Sequence, residues 1–200
     1  MATVGKNILD NLTTGMYVDP KVIYREYIQN GCDQIDKAIE QGLISAENAL
    51  VDIFIDPQER YISIRDNATG VCSKTFQQQL GDIANSDKRI GENKGFRGIG
   101  RLCGLAYCKT LTFTTSFSGE PVASVMTCDA QKMRKMLHDN VKHTIDDVLD
   151  AIVSFETIDE NAEEHYFEVE LFDISKENTE LLDERKVIEY LSFVAPVPYK

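Results

Sequence analysis

From Val22 to Ile39, apolar residues recur every three or four positions: Val22, Ile23, Tyr27, Ile28, Ile35, Ala38 and Ile39. That spacing predicts a helix over roughly 20–41 with one buried face. Asp19-Pro20 reads as an N-cap followed by proline at the first helical position, and Gly42 as the stop. The period then changes. Residues 49–56 and 60–65 run apolar or alternate around Pro57-Gln58, which predicts a hairpin. Ser73 reads as the cap of a helix to about Ala84. Residues 85–97 are polar, basic and glycine-containing, a loop pattern, and 98–107 return to helical spacing. Residues 108–116 and 121–128 read as strands joined at Ser118-Gly119-Glu120, and Asp129 caps a helix to about Leu137. A further strand pair is expected at 148–158 and 165–173. A last helix is expected from Asp183 to about Phe193, and short helical spacing also occurs over 6–14. The layout predicts an α+β chain, a two-layer sandwich of a mostly antiparallel mixed sheet with helices on one face.

Composition narrows this picture. The chain has 200 residues, 42% hydrophobic and 27% charged, enough for one domain with a real core and unlike a disordered or collagen-like chain. No apolar run is long enough for a membrane span, and the first residues lack the pattern of a signal peptide. The five cysteines are scattered without a CxxC pair, which points away from a disulfide framework or zinc ribbon and fits a reducing cytoplasm. His138, His143 and His165 lack metal-ligand spacing and read as surface residues. The net charge of -12 argues against direct nucleic-acid binding. It is unevenly spread: residues 146–189 hold 16 Asp/Glu against three Lys/Arg, whereas 85–109 hold six Lys/Arg against Asp87 and Glu92.

Three clusters carry candidate chemistry. Glu26, Asn30 and Asp33 are offset by four and seven residues, within about 60° of one another around a helix, so they share one stripe. An amide oxygen is a hard ligand suited to magnesium, and a carboxylate one turn away can deprotonate a water. Such a stripe is also what a hydrated helix face looks like. Asp66-Asn67-Ala68-Thr69-Gly70 follows a strand directly. A carboxylate fixed there would accept from the exocyclic amine of adenine and repel the carbonyl of guanine, although Asp-Asn with Gly also spells a plain turn. Gly95-Phe96-Arg97-Gly98-Ile99-Gly100 runs into a helix, where backbone N–H groups can approach phosphate. It is neither a Walker A loop nor a dinucleotide-binding fingerprint.

Taken in this order and spacing, the three clusters resemble the Bergerat-fold ATPases, which include gyrase-type topoisomerases, the ninety-kilodalton heat-shock chaperone, sensor histidine kinases and the mismatch-repair protein MutL. Glu26, Asn30 and Asp33 match the family's Glu-x-x-x-Asn-x-x-Asp box. Asp66 and Gly70 match Asp-x-Gly-x-Gly, with Ala68 replacing the first glycine. Gly95, Gly98 and Gly100 match Gly-x-x-Gly-x-Gly. LGDIANSDKR (Leu80–Arg89) resembles the chaperone's entry to its lid, and GFRG (Gly95–Gly98) resembles MutL. Tyr166-Phe167 stand where the family often has Gly-Thr.

The resemblance implies ATP and Mg2+ as ligands. It gives Glu26 as general base, Asn30 as magnesium ligand, Asp33 in support of the site, Asp66 and Gly70 at the adenine, and the 95–100 loop around the phosphates with Lys88 and Lys94 nearby. It implies one ATP-binding domain over 1–195, with 196–200 leading to a further domain, in a cytoplasmic chaperone-like or MutL-like protein that can form a homodimer. Two other readings share these residues: an ATP-gated dimerisation switch with negligible turnover, and a histidine-kinase-like phosphotransfer domain.

Overall fold

The computed structural model describes residues 19–81, 100–139 and 143–195. The expected helix at 6–14, the loop at 85–97 and the extended ending at 196–200 lie outside these residues.

The first long helix, α1 (Val22–Glu40), buries Ile23, Tyr24, Tyr27, Ile28, Cys32, Ile35 and Ala38 on one face. Its start falls two residues later than Asp19-Pro20 suggests: the N-cap is Lys21, without a side-chain cap bond, while the Asp19 carboxylate accepts from Lys21 N–H at 3.0 Å in the turn before it. Gly42 ends it at φ 72°. There Gly42 N–H donates to the Ile39 carbonyl and Leu43 N–H to the Ala38 carbonyl, both at 2.9 Å, the paired bonds of a Schellman stop.

Strands β1 (Val51–Asp56) and β2 (Tyr61–Asp66) form the expected hairpin, with Val51 opposite Asp66. Its turn is held by the Asp56 carboxylate, which accepts from Gln58 N–H at 2.8 Å and Glu59 N–H at 3.0 Å. Next come α2 (Ser73–Gly81), a 3-10 helix (Gly100–Ala106), β3 (Thr110–Ser116), β4 (Val122–Asp129), α3 (Ala130–His138) and α4 (Ile145–Ile152). They are followed by β5 (Val153–Asp159), β6 (Tyr166–Phe172), a second 3-10 helix (Lys176–Leu182) and α5 (Glu184–Val194).

Among the described residues, six strands lie in the order β1-β2-β6-β3-β4-β5, every neighbouring pair antiparallel. Register partners share a face. One row across the sheet reads Ile53, Ile64, Val169, Phe113, Met126 and Phe155, and it packs into the core with the helices. The next row, on the opposite face, reads Asp52, Arg65, Glu168, Thr114, Val125 and Glu156. The α+β, two-layer expectation therefore holds.

Three local expectations change. Residues 148–152 belong to α4, and the strands that follow do not pair with each other: β5 lies at the edge beside β4, while β6 is inserted between β2 and β3. Thr144 and Asp147 form a capping box that opens α4, a signal that overrides the strand-like run. Ser73 is not the cap of α2. Glu120, from the β3–β4 connection, accepts Ser73 N–H at 2.9 Å and the Cys72 thiol at 3.0 Å. The helical spacing after Gly98 takes the 3-10 form, from Gly100. Among the described residues no helix is long and apolar enough to cross a membrane.

Candidate functional site

Two close approaches fix where α1 meets the end of β2. A Cβ built on Gly31 would lie 3.3 Å from both Cβ and Oδ2 of Asp66 and 3.3 Å from a Val51 methyl. A hydrogen at that position thus lets the helix pass directly over the carboxyl. On the far side of the turn, Gly70 takes φ 64° and its α carbon presses on the Ser116 backbone. Between these contacts lies a cavity of about 280 Å³. Asn30, Gly31 and Gln34 line it from α1, and Gln79 and Leu80 from α2. Ile64, Phe113, Phe167 and Val169 form an apolar floor on the sheet.

Asp66 lies in this cavity and is buried. Loss of solvent pushes its carboxyl up to about 7, against the pull of the backbone N–H groups of Ala68 and Phe167 and the charge of Arg65. Ala68 N–H donates to the carboxylate at 3.0 Å. The turn itself is pinned from several directions. Asn67 accepts from Leu50 N–H at 2.9 Å and donates to the Asn48 carbonyl at 2.7 Å. Val71 N–H donates to the Thr115 hydroxyl at 2.9 Å, and that hydroxyl donates to the Tyr166 carbonyl at 2.7 Å. His165 Nδ1 lies 2.7 Å from the Ala68 carbonyl, so this ring is half-buried and engaged with the turn rather than a surface residue.

The helix stripe divides. Asn30 is exposed at the cavity edge. Glu26 sits one turn earlier, held by Arg25 Nη2 at 2.9 Å, with Oε2 3.3 Å from where a Cβ on Gly100 would be. Asp33 points to solvent, accepts from Gln29 Nε2 at 2.9 Å, and lies outside the cavity lining, where Gln34 stands instead. The structure thus gathers Asn30, Asp66 and Gly70 around one cavity, with Glu26 and Gly100 beside it. Lys88, Lys94, Gly95, Phe96, Arg97, Gly98 and Ile99 lie outside the described residues.

Several lining residues escape a reading of the sequence. Arg101 follows Gly100 into the cavity, and its Nη1 donates to the Gln79 carbonyl at 3.0 Å. Its main chain is anchored to α1: the Tyr27 hydroxyl donates to the Arg101 carbonyl at 2.8 Å and accepts from Gly104 N–H at 3.0 Å. A Cβ on Gly104 would lie 2.7 Å from that hydroxyl and 3.1 Å from the Leu111 and Leu171 methyls, so a larger residue would have to push them aside. Phe167, the register partner of Asp66, fills the position that Tyr166-Phe167 mark in the sequence, with its ring centroid 6.1 Å from that of Phe113. The glycines before the 3-10 helix were a usable signal for Arg101. Nothing local to Phe167 points to the cavity.

Cysteine nucleophiles are absent from this arrangement among the described residues. Cys32, Cys103, Cys108 and Cys128 are buried, and burial holds each thiol above its ordinary value. No group of three or more His, Cys, Asp or Glu gathers to hold a metal among the described residues.

Comparison with known proteins gives this arrangement a family. The chaperone protein HtpG of Acinetobacter baylyi is 27% identical over 132 residues, 57% of this chain and 21% of the relative. HtpG of Anaplasma marginale is 32% identical over 107 residues, 50% of this chain and 17% of the relative. HtpG of Chlorobium phaeobacteroides is 29% identical over 87 residues, 40% of this chain and 14% of the relative. The chain thus spans about a fifth or less of the length of these curated relatives. Residues 23–164, which contain all of α1 but Val22, the Asp66 turn and the first 3-10 helix, match the family model described as histidine kinase-, DNA gyrase B- and HSP90-like ATPase. By that match, over more than half its length, the chain belongs to the family of histidine kinase-, DNA gyrase B- and HSP90-like ATPases.

Proposed function

We propose that this chain binds adenine nucleotide in the cavity between α1, α2 and the sheet, and that ATP hydrolysis there drives conformational change in a larger chaperone-like protein. The cavity carries the reading: a buried carboxyl, Asp66, on an otherwise apolar floor, with the Glu26–Asn30 stripe at its edge. An adenine ring would bury its faces against Ile64, Phe113, Phe167 and Val169 and donate its exocyclic amine to Asp66. Guanine presents a carbonyl at that position and would be repelled above pH 7, where Asp66 is ionised. Gly31 keeps the carboxyl clear, because a Cβ there would crowd it, and Gly70 lets the turn pack on the Ser116 backbone, which would hold the main chain close to the base.

The stripe suits the phosphate end. Asn30 is a hard oxygen donor at the cavity edge and is the side chain that would hold magnesium. Magnesium, when bound, withdraws charge from the phosphate oxygens. Glu26, one helical turn before Asn30, is suited to accept the proton of an attacking water. The N-terminal end of the 3-10 helix, after Gly95, Gly98 and Gly100, would offer backbone N–H groups to the phosphates with Lys88 and Lys94 close by. Asp33, which faces solvent, would support the site through water. The domain reading keeps residues up to 195 as one nucleotide-binding unit with 196–200 leading onward, in line with relatives several times longer. A homodimer and a cytoplasmic setting belong to the same reading.

Calorimetric titration with ATP and GTP in the presence of magnesium tests it. ATP is expected to bind and GTP to bind far more weakly. Asp66→Asn should weaken ATP by about 1.5–3 kcal/mol, the worth of a hydrogen bond to a charged group. Equal affinity for the two nucleotides, or undiminished ATP binding in Asp66→Asn, would overturn the adenine assignment.

A further inference from the structure

We infer that Gln34 reads the base: its amide N–H donates to the ring nitrogen beside the exocyclic amine that Asp66 accepts from. This inference rests on the nucleotide-binding reading above. Asp66 fixes where the base lies along α1. Its Oδ1 accepts from Ala68 N–H at 3.0 Å, and its Oδ2 is the oxygen that lies against Gly31. Gln34 is the next residue of α1 after Gly31 to line the cavity, on the side away from Glu26 and the phosphate end. Residues three apart on a helix have Cβ atoms about 5–6 Å from each other. The Cβ of Gln34 therefore stands about that far from the Cβ position of Gly31, which is itself 3.3 Å from Asp66 Oδ2. The glutamine stem is long enough to bring its carboxamide to a ring hydrogen-bonded at Asp66.

Adenine calls for such a group. The ring nitrogens on either side of its amine, N1 and N7, are both acceptors, so whichever edge faces α1 needs a donor beside the carboxylate. Ionised Asp66 only accepts, whereas an amide N–H donates. A glutamine amide is also one of the groups that pair with adenine's amine edge in DNA recognition. The other neutral polar side chains of the lining are committed elsewhere. The Tyr27 hydroxyl bonds the Arg101 carbonyl and Gly104 N–H, and Gln79 Nε2 donates to the Thr75 hydroxyl at 2.9 Å. Asn30 stands one turn nearer Glu26, at the phosphate end. Gln34 Oε1 accepts from Lys37 Nζ at 3.4 Å, and its Nε2 bonds none of the described residues. Lys37 can only donate, so it takes the carboxamide oxygen and leaves the N–H groups for a ligand.

Calorimetric titration of ATP, 1-deaza-ATP and 7-deaza-ATP with magnesium into the unsubstituted chain and Gln34→Leu tests this, at about pH 8, where Asp66 is ionised. Each analogue replaces one ring nitrogen by C–H, so side chain and nitrogen form a double-mutant cycle. In the unsubstituted chain the analogue that lacks the bonded nitrogen should bind about three- to tenfold more weakly than ATP, the worth of one neutral hydrogen bond. In Gln34→Leu, ATP should weaken by a like factor and that same analogue should bind as well as ATP. Three results overturn the inference and leave the nucleotide-binding reading standing: undiminished ATP affinity in Gln34→Leu with native far-UV circular dichroism, analogues that both match ATP in the unsubstituted chain, or analogue losses that persist in Gln34→Leu. Absence of ATP binding by the unsubstituted chain overturns both. Should Gln34→Leu fail to fold, Gln34→Met, which keeps an unbranched side chain without the amide, decides on the same terms.

Discussion

The α carbon of Gly70 rests against the carbonyl group of Ser116. A Cβ built there would interpenetrate the Ser116 oxygen and lie 2.8 Å from its carbonyl carbon and 3.1 Å from the Tyr166 oxygen. All three atoms are backbone, so none can swing aside as a side chain would. The φ of 64° adds its own penalty for any residue with a Cβ. Gly70→Ala is therefore expected to destabilise the fold by at least about 3 kcal/mol, from left-handed strain and overpacking together. Urea denaturation followed by circular dichroism measures this. A variant as stable as the unsubstituted chain would show that β3 and β6 give way freely at this point.

Asp66 should make stability fall as pH rises. Its folded-state carboxyl titrates at about 7 because it is buried, against 3.8 without burial. Between those values the folded chain holds a proton that the unfolded chain has released. The contribution is then full below about pH 4 and is lost as pH climbs through 7. The size is on the order of 4 kcal/mol. Denaturant midpoints from pH 5 to 8 for the unsubstituted chain and Asp66→Asn isolate it: the stability of Asp66→Asn relative to the parent should rise across that range. Parallel curves for the two proteins would refute the assignment.

Glu26 and Asn30 should fail in different ways. Glu26→Ala is expected to keep ATP affinity and lose about 10²–10⁴ in phosphate release, as removal of a general base does. Asn30→Ala should instead weaken binding only when magnesium is present, because it removes a metal ligand. Steady-state phosphate release and titrations with and without magnesium, on the intact polypeptide, read both effects. Undiminished turnover in Glu26→Ala would favour the ATP-gated switch over the hydrolase.

Glu120 should stabilise α2 from a distance. Its carboxylate is held below the usual range by hydrogen bonds from the Cys72 thiol and Ser73 N–H. Glu120→Ala removes this cap and should cost about 1 kcal/mol, within the range measured for N-cap losses. Because α2 contributes Gln79 and Leu80 to the cavity, the variant should also show faster amide exchange over 73–81. Exchange that stays at the parent rate would mean that the helix is held by packing of Phe76 and Leu80 alone.

Much of this molecule is written locally. The period of apolar residues and the Asp19 and Gly42 signals define α1 to within two residues. The Asp129 and Asp183 caps likewise mark the starts of α3 and α5. What the sequence leaves hidden is tertiary. The cap on α2 comes from Glu120, nearly fifty residues away, and no local pattern points to it. The strand-like run at 148–152 hides a helix because Val148, Leu149 and Ile152 serve either period, and only the Thr144–Asp147 box decides. At the site, spacing on a helix wheel places Glu26, Asn30 and Asp33 on one stripe, but the stripe is wider than the cavity mouth, and Asp33 falls outside it. Arg101 and Phe167 come to the cavity through pairings that join distant parts of the chain.

Among the described strands, the one at the heart of the sheet is made last. β6 runs from Tyr166 to Phe172 yet lies between β2 and β3. Until it emerges, a nascent chain holds two separate sets of paired strands, β1–β2 and β3–β4–β5, with no strand joining them. The cavity cannot exist at that stage. Asp66 lacks Phe167 beside it, Val169 is missing from the floor, and Thr115 has no Tyr166 carbonyl to bind. A ligand of the cavity therefore cannot guide the early steps of folding and stabilises only the completed sheet. During translation, the exposed inner edges of β2 and β3 must wait for one short segment, and in that interval they are the part of the chain most in need of protection from other strands.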